Sequence, residues 1–195
     1  MHNDTLEQTG VFNLIENQQE LGEYNFGTKK ESDLGFSGCG IIAVYNLIVS
    51  LEEKPSTTIS DLIDIFEKRG AVLWGGFGVS AVTIFHYLKK RYGEAGRLFG
   101  FNRDRIKAFG DRYDGFIVTV WNDNRAIGKG LHTVCITKSD KGFAAHNIYR
   151  RSSSGKWIAS DHCDTLYSAI MSISEYEKPV MIIGVKRIKR TEGLL

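Results

Sequence analysis

The sequence predicts an α+β fold, in which an N-terminal helical part packs its central helix on an antiparallel β-sheet. Three observations carry this expectation. Apolar residues recur at helical spacing from Cys39 to Tyr92, and from Gly115 to Tyr149 the chain turns to β-rich runs. Turn-forming stretches, Asn122-Asp123-Asn124 and Ser139-Asp140-Lys141-Gly142, separate those runs. The segment from Cys39 to about Glu52 is apolar nearly all round, as a buried helix is. Helices first and strands afterwards is the α+β order.

Taken in order, Met1 to Gly10 is polar, and Val11, Phe12, Leu14 and Ile15 predict a short helix in an N-terminal extension, 1–23. Tyr24 to Phe36 reads as a loop. The buried helix follows from Cys39. Pro55 to Thr58 is a turn, after which Ser60 is expected to cap a helix carrying Leu62, Ile63, Ile65 and Phe66, with Gly70 as its stop. A short apolar run, Ala71 to Trp74, leads into the glycine loop Gly75-Gly76-Phe77-Gly78. A third helix runs from about Val79 to Tyr92, and its last-turn Lys89-Lys90-Arg91 cluster suits the helix dipole. Arg97 to Phe101 is expected as a strand, and Asn102 as the cap of a helix to Phe109. Strands follow at Gly115 to Trp121, Leu131 to Lys138 and Phe143 to Tyr149. A helix is expected from Thr165 to about Tyr176, and a last strand from Val180 to Ile188. The whole is a single domain, 24–188, with a helical part 24–110 and a β-rich part 111–188, then a tail 189–195.

The bulk numbers narrow the function. A chain of 195 residues with 42% apolar and 25% charged residues fits one globular domain. A net charge of +2 is too weak to argue for nucleic acid or a membrane surface as partner. The polar start lacks the apolar centre of a signal peptide. Three cysteines, Cys39, Cys135 and Cys163, are an odd number that suits free thiols in a reducing compartment, so a cytoplasmic protein is expected.

The chemistry concentrates at Phe36-Ser37-Gly38-Cys39-Gly40. A cysteine between two glycines stands where the helical pattern begins. Helix N-termini expose unpaired N–H groups, which favour a thiolate and can hold an oxyanion. Gly38 and Gly40 would let the backbone turn sharply and another molecule come close. Cysteine is also a common small core residue, so a base must be found downstream. Of five histidines, His132 is the best placed. It opens the run His132-Thr133-Val134-Cys135-Ile136 after the glycine-rich Gly128-Lys129-Gly130, at a strand mouth. His2, His86 and His162 have plainer readings. The orienting group is expected on the next strand, at Asn147. With Ser139 and Asp140 as a two-residue loop, His132 pairs with Asn147. With a four-residue loop, Asn147 stays on the His132 face, opposite Val134. A three-residue loop with Gly142 left-handed would put His146 there instead. Turn chemistry leaves these open.

Gly38-Cys39-Gly40 before a buried helix with Ala43, then His132-Thr133-Val134 on a strand, then Asn147 fifteen residues later, resembles the papain-like cysteine peptidases. The branch it is most similar to is the compact bacterial one, related to peptidases that trim bacteriocin and other double-glycine leader peptides. The resemblance implies a papain-like fold, Cys39 as nucleophile, His132 as general base and acid, and Asn147 as orienting residue. It implies acyl transfer through a Cys39 thioester on a peptide or leader-segment substrate, without cofactor or metal. In that reading Trp74 and Gly76 line the substrate cleft with Gly38 and Gly40.

One departure stands out. The family's oxyanion glutamine is expected several residues before the cysteine, where this chain has Asp33. A carboxylate accepts hydrogen bonds and cannot donate them. Losing one such donor costs other hydrolases about 10²–10³ in turnover. Asn25 can substitute only if the loop folds back. A papain-like binding module without chemistry is therefore a second reading. A third is nucleotide binding through Gly76 to Gly78, a loose dinucleotide fingerprint. A metal site has the least support, since His132 and Cys135 stand three apart on a strand and face opposite sides.

Overall fold

The computed structural model describes residues 13–27, 33–68, 78–121, 130–173 and 178–188. Residues 1–12, Ala71 to Trp74 and most of the glycine loop, with Trp74 and Gly76, lie outside the described residues.

Local chemistry sets the helix starts. The stretch expected as loop ends in one helical turn, α1 (Leu34–Ser37), because the Asp33 carboxylate accepts the Phe36 N–H at 2.7 Å. α2 is Cys39–Leu51. α3 (Ile59–Lys68) starts earlier than the sequence suggested. Its cap is Thr58 and not Ser60: the Thr58 hydroxyl accepts the Asp61 N–H at 3.1 Å, and the Asp61 carboxylate accepts the Thr58 N–H at 2.9 Å. α4 (Ala81–Tyr92) ends at Gly93, whose φ of 74° is the left-handed geometry glycine tolerates best. α5 is Arg103–Arg112, capped by Asn102, and α6 is Leu166–Met171, capped by Thr165.

Five strands form one antiparallel sheet. They are β1 (Ala95–Leu98), β2 (Gly115–Trp121), β3 (Leu131–Ser139), β4 (Gly142–His146) and β5 (Pro179–Val185). Their order is β1-β5-β2-β3-β4. The expected division into a helical and a β-rich part does not describe the sheet, because β1 falls in the first part and pairs with β5 from the last.

Both faces of the sheet are covered, which is why β2 is buried from Gly115 to Val120 on both sides, Thr119 being its one polar side chain. On one face Ile117, Cys135 and Ile183 join the α2, α3 and α4 residues. On the other, Phe116, Val118, Val134 and Ile136 pack with Ile106 of α5 and Leu166 and Ile170 of α6. The α+β class holds, as a three-layer arrangement with α2 lying across β2 and β3. Ile41, Ile42, Leu47 and Ile48 of α2 are fully buried, each stabilising by about 1.5–3 kcal/mol.

The N-terminal segment is part of this core. Instead of an amphipathic helix, residues 13–17 are irregular and lead into a 3-10 turn, Gln18–Leu21. Asn46, fully buried on α2, accepts the Ile15 N–H and donates to the Ile15 carbonyl, both at 2.8 Å. That pair of hydrogen bonds satisfies the Ile15 main chain as a neighbouring strand would.

Candidate active site at the end of strand 3

The α2 N-terminus holds Cys39, with Gly38 as its N-cap. The two flanking glycines have internal reasons to be small. A Cβ on Gly38 would run into the Leu34 carbonyl of the preceding turn, and the residue's φ of −83° is open to any side chain. A Cβ on Gly40 would sit 3.2 Å from Ile84 and 3.3 Å from Val79. Both glycines let α1 and α4 close on the start of α2. Gly78, left-handed at φ 79°, brings the end of the glycine loop against the Ser37 carbonyl.

The thiol lies against Thr133, the residue next to His132. Burial raises its pKa above the ordinary value, and this outweighs the pull of nearby donors, namely the N–H and hydroxyl of Thr133 and the N–H groups of Gly40 and Cys39. The donors at the helix start therefore do not make a standing thiolate of Cys39. Thr133 is held in turn by Thr119, the two hydroxyl oxygens 3.1 Å apart.

His132 is 5% exposed. Its Nε2 lies 2.7 Å from the backbone carbonyl of Asn147. A carbonyl only accepts, so Nε2 carries the proton, and burial lowers the ring's pKa and keeps it neutral. Nδ1 is then the basic atom. The Tyr149 ring stacks on the imidazole with centroids 5.0 Å apart and 26° between planes. The Tyr149 phenol is pushed up to about 12, by burial first and then by charge at Cys39, which places this ring near both groups.

The hairpin register is that of the longer-loop option: Lys138 pairs with Phe143 and Cys135 with His146, and one further pair, Ser139 with Gly142, closes the turn. Asn147 is the first residue past the ladder and adopts φ 60°, a left-handed conformation asparagine tolerates better than most. That twist takes the chain out of the sheet and turns the carbonyl to His132. What His132 meets is thus the Asn147 main chain, where its side-chain amide was expected. The side chain points to Gln18: Asn147 Nδ2 donates to Gln18 Oε1 at 3.0 Å, and Asn147 Oδ1 accepts the Gln18 N–H at 3.1 Å.

Alternation along β3 gives Thr133 and Cys135 to the α2 face, and His132 and Val134 to the other. Cys39, which lies against Thr133, and His132 therefore stand on opposite faces of the start of β3. Among the described residues no hydrogen bond joins them. His146 lies on the α2 face, its Nδ1 2.6 Å from Glu16 Oε1 and its Nε2 2.9 Å from Thr137 Oγ1.

Asp33 is committed to capping α1, so its carboxylate is not a stand-in for an oxyanion donor. The loop before it does fold back, with Asn25 bridged to Asp33 and the Leu34 N–H donating to the Tyr24 carbonyl at 3.0 Å. Gln18, Glu16 and Tyr149 escaped the sequence reading. Their contacts span up to 131 positions, and only the aromatic beside Asn147 left any local signal.

No protein-family model, no curated protein and no solved structure matches this chain. The described strands are all antiparallel, so they offer no parallel strand-helix-strand unit for a dinucleotide. Among the described residues no group of three histidine, cysteine or carboxylate side chains is placed to hold a metal ion, and no helix is long and apolar enough to cross a membrane.

Proposed function

We propose that the chain is a papain-like cysteine-nucleophile hydrolase that cleaves a peptide bond in a peptide or leader segment. One observation carries this reading: a thiol surrounded by main-chain N–H groups at a helix start, at the same strand end as a neutral imidazole whose Nε2–H is fixed on a carbonyl. Thiol and ring are both uncharged at rest. His132 Nδ1 takes the thiol proton as Sγ attacks the substrate carbonyl carbon. The C–S bond forms, and the carbonyl electron pair moves to oxygen, where the N–H groups of Cys39 and Gly40 receive it. The pair returns, the C–N bond breaks, and the imidazolium gives its proton to the leaving amine. Water then opens the thioester with His132 as base. Tyr149, stacked on His132, is exposed, as are Phe36 and Leu131, which stand near Cys39 and His132 in sequence, and this favours an apolar residue near the scissile bond.

The test is geometric and chemical. Treatment with 1,3-dibromoacetone should link Cys39 to His132, seen as a crosslinked peptide by mass spectrometry. Iodoacetamide should label Cys39 faster than Cys135 or Cys163, and His132→Ala should slow that labelling. No crosslink, together with equal slow labelling of all three thiols, overturns the hydrolase and leaves the binding module.

A further inference from the structure

We propose that Glu16 and Gln18 are positioning residues for His132, acting through Asn147, and that Gln18 also ties the base's hairpin to the turn presenting Cys39. This rests on the hydrolase function proposed above.

A carbonyl just past the end of a strand has no ladder partner to fix its direction. Asn147 is 1% exposed, and every polar group it carries is used. Its carbonyl meets His132 Nε2 at 2.7 Å, and its N–H donates to Glu16 Oε2 at 3.2 Å. Its side-chain amide is paired twice with Gln18, as described. The other Glu16 oxygen takes His146 Nδ1, so the carboxylate grips two successive residues of the hairpin. Left-handed backbone of this kind costs about 1–3 kcal/mol and persists where its surroundings determine it, and the surroundings here are two residues of the N-terminal segment, Glu16 and Gln18.

Gln18 does a second thing. It is 2% exposed, and its Nε2 donates to the Gly35 carbonyl at 2.9 Å, four residues before Cys39. Gly35 is tightly placed, since its Cβ would lie 3.1 Å from the Gly22 Cα. One buried amide thus bonds the His132 side through Asn147 and the Cys39 side through α1. A shift of about 1 Å between base and nucleophile is worth roughly 10²-fold in rate, so such a bridge bears on chemistry as well as on folding.

The experiment measures iodoacetamide labelling of Cys39 against pH, with urea unfolding alongside, in the full chain and in His132→Ala, Gln18→Met, Glu16→Ala and Glu16→Gln. Methionine keeps the volume of Gln18 and its main-chain donor while removing both side-chain bonds. Gln18→Met and Glu16→Ala should move the rise in labelling to higher pH, toward the His132→Ala profile, and lower the neutral-pH rate about tenfold. Glu16→Gln still accepts the Asn147 N–H and should recover most of the loss. A purely structural role would lower stability and leave the pH profile in place, and that result overturns the proposal. If Gln18→Met does not fold, Glu16→Ala against Glu16→Gln decides alone. If His132→Ala leaves the full chain's profile unchanged, the hydrolase function has failed first.

Discussion

The imidazole of His132 is aimed by the main chain of Asn147, with Nε2 and the carbonyl oxygen 2.7 Å apart, while the Asn147 amide is turned away to Gln18. What position 147 supplies to the site is therefore a backbone direction, and the consequences can be measured.

At position 147 itself, glycine and alanine should part company. Both keep the carbonyl and lose the bonds to Gln18. Glycine adopts the left-handed φ freely, whereas alanine is strained there by about 1 kcal/mol. Asn147→Gly should retain more His132-dependent labelling of Cys39 than Asn147→Ala. Equal rates would mean that the backbone twist is not what aims the ring.

Thr133 tests the thiol's surroundings. Thr133→Val removes a hydroxyl that favours the thiolate and leaves the buried Thr119 hydroxyl without its partner. Labelling of Cys39 should shift to higher pH, and urea unfolding should show a loss of about 1–3 kcal/mol. Thr133→Ser keeps both contacts and should resemble the parent.

The two glycines beside Cys39 should respond differently. At Gly38 a methyl meets the Leu34 carbonyl, which belongs to backbone and cannot step aside. Gly38→Ala should therefore cost about 1–3 kcal/mol and disturb labelling as the turn moves. At Gly40 the neighbours are side-chain atoms 3.2–3.3 Å away, and alanine brings a helix-propensity gain of about 0.5–1 kcal/mol. Gly40→Ala should melt within a few degrees of the parent.

Acid titration reads the buried imidazole. Burial holds the folded pKa of His132 below the ordinary 6.5, so below that pH the unfolded chain binds a proton that the folded chain does not. The contribution is complete above 6.5 and is lost as pH falls through the folded value. His132→Gln, with an amide that can still donate toward Asn147, should show a shallower fall in urea stability between neutral pH and pH 5. An unchanged slope would mean that the ring takes its proton over the same pH range folded as unfolded.

Periodicity and turn chemistry alone determined the α+β class, the buried helix from Cys39, and most of the helices and strands, while the hairpin register was left open. Those signals are local, and 3.6- and 2-residue repeats state them directly in the chain. Tertiary structure decided the rest. Asp33 looked like a misplaced oxyanion residue and is a helix cap, because the chain forms a turn of helix where a loop was expected. Glu16 and Gln18 lay in a stretch that reads as a polar extension, and they became buried partners of Asn147 only when the sheet brought together residues some 130 positions apart. The resting charge of Cys39 also depended on the fold. Sequence placed the thiol at a helix start, which favours the thiolate, and burial in the fold raises its pKa despite the donors around it.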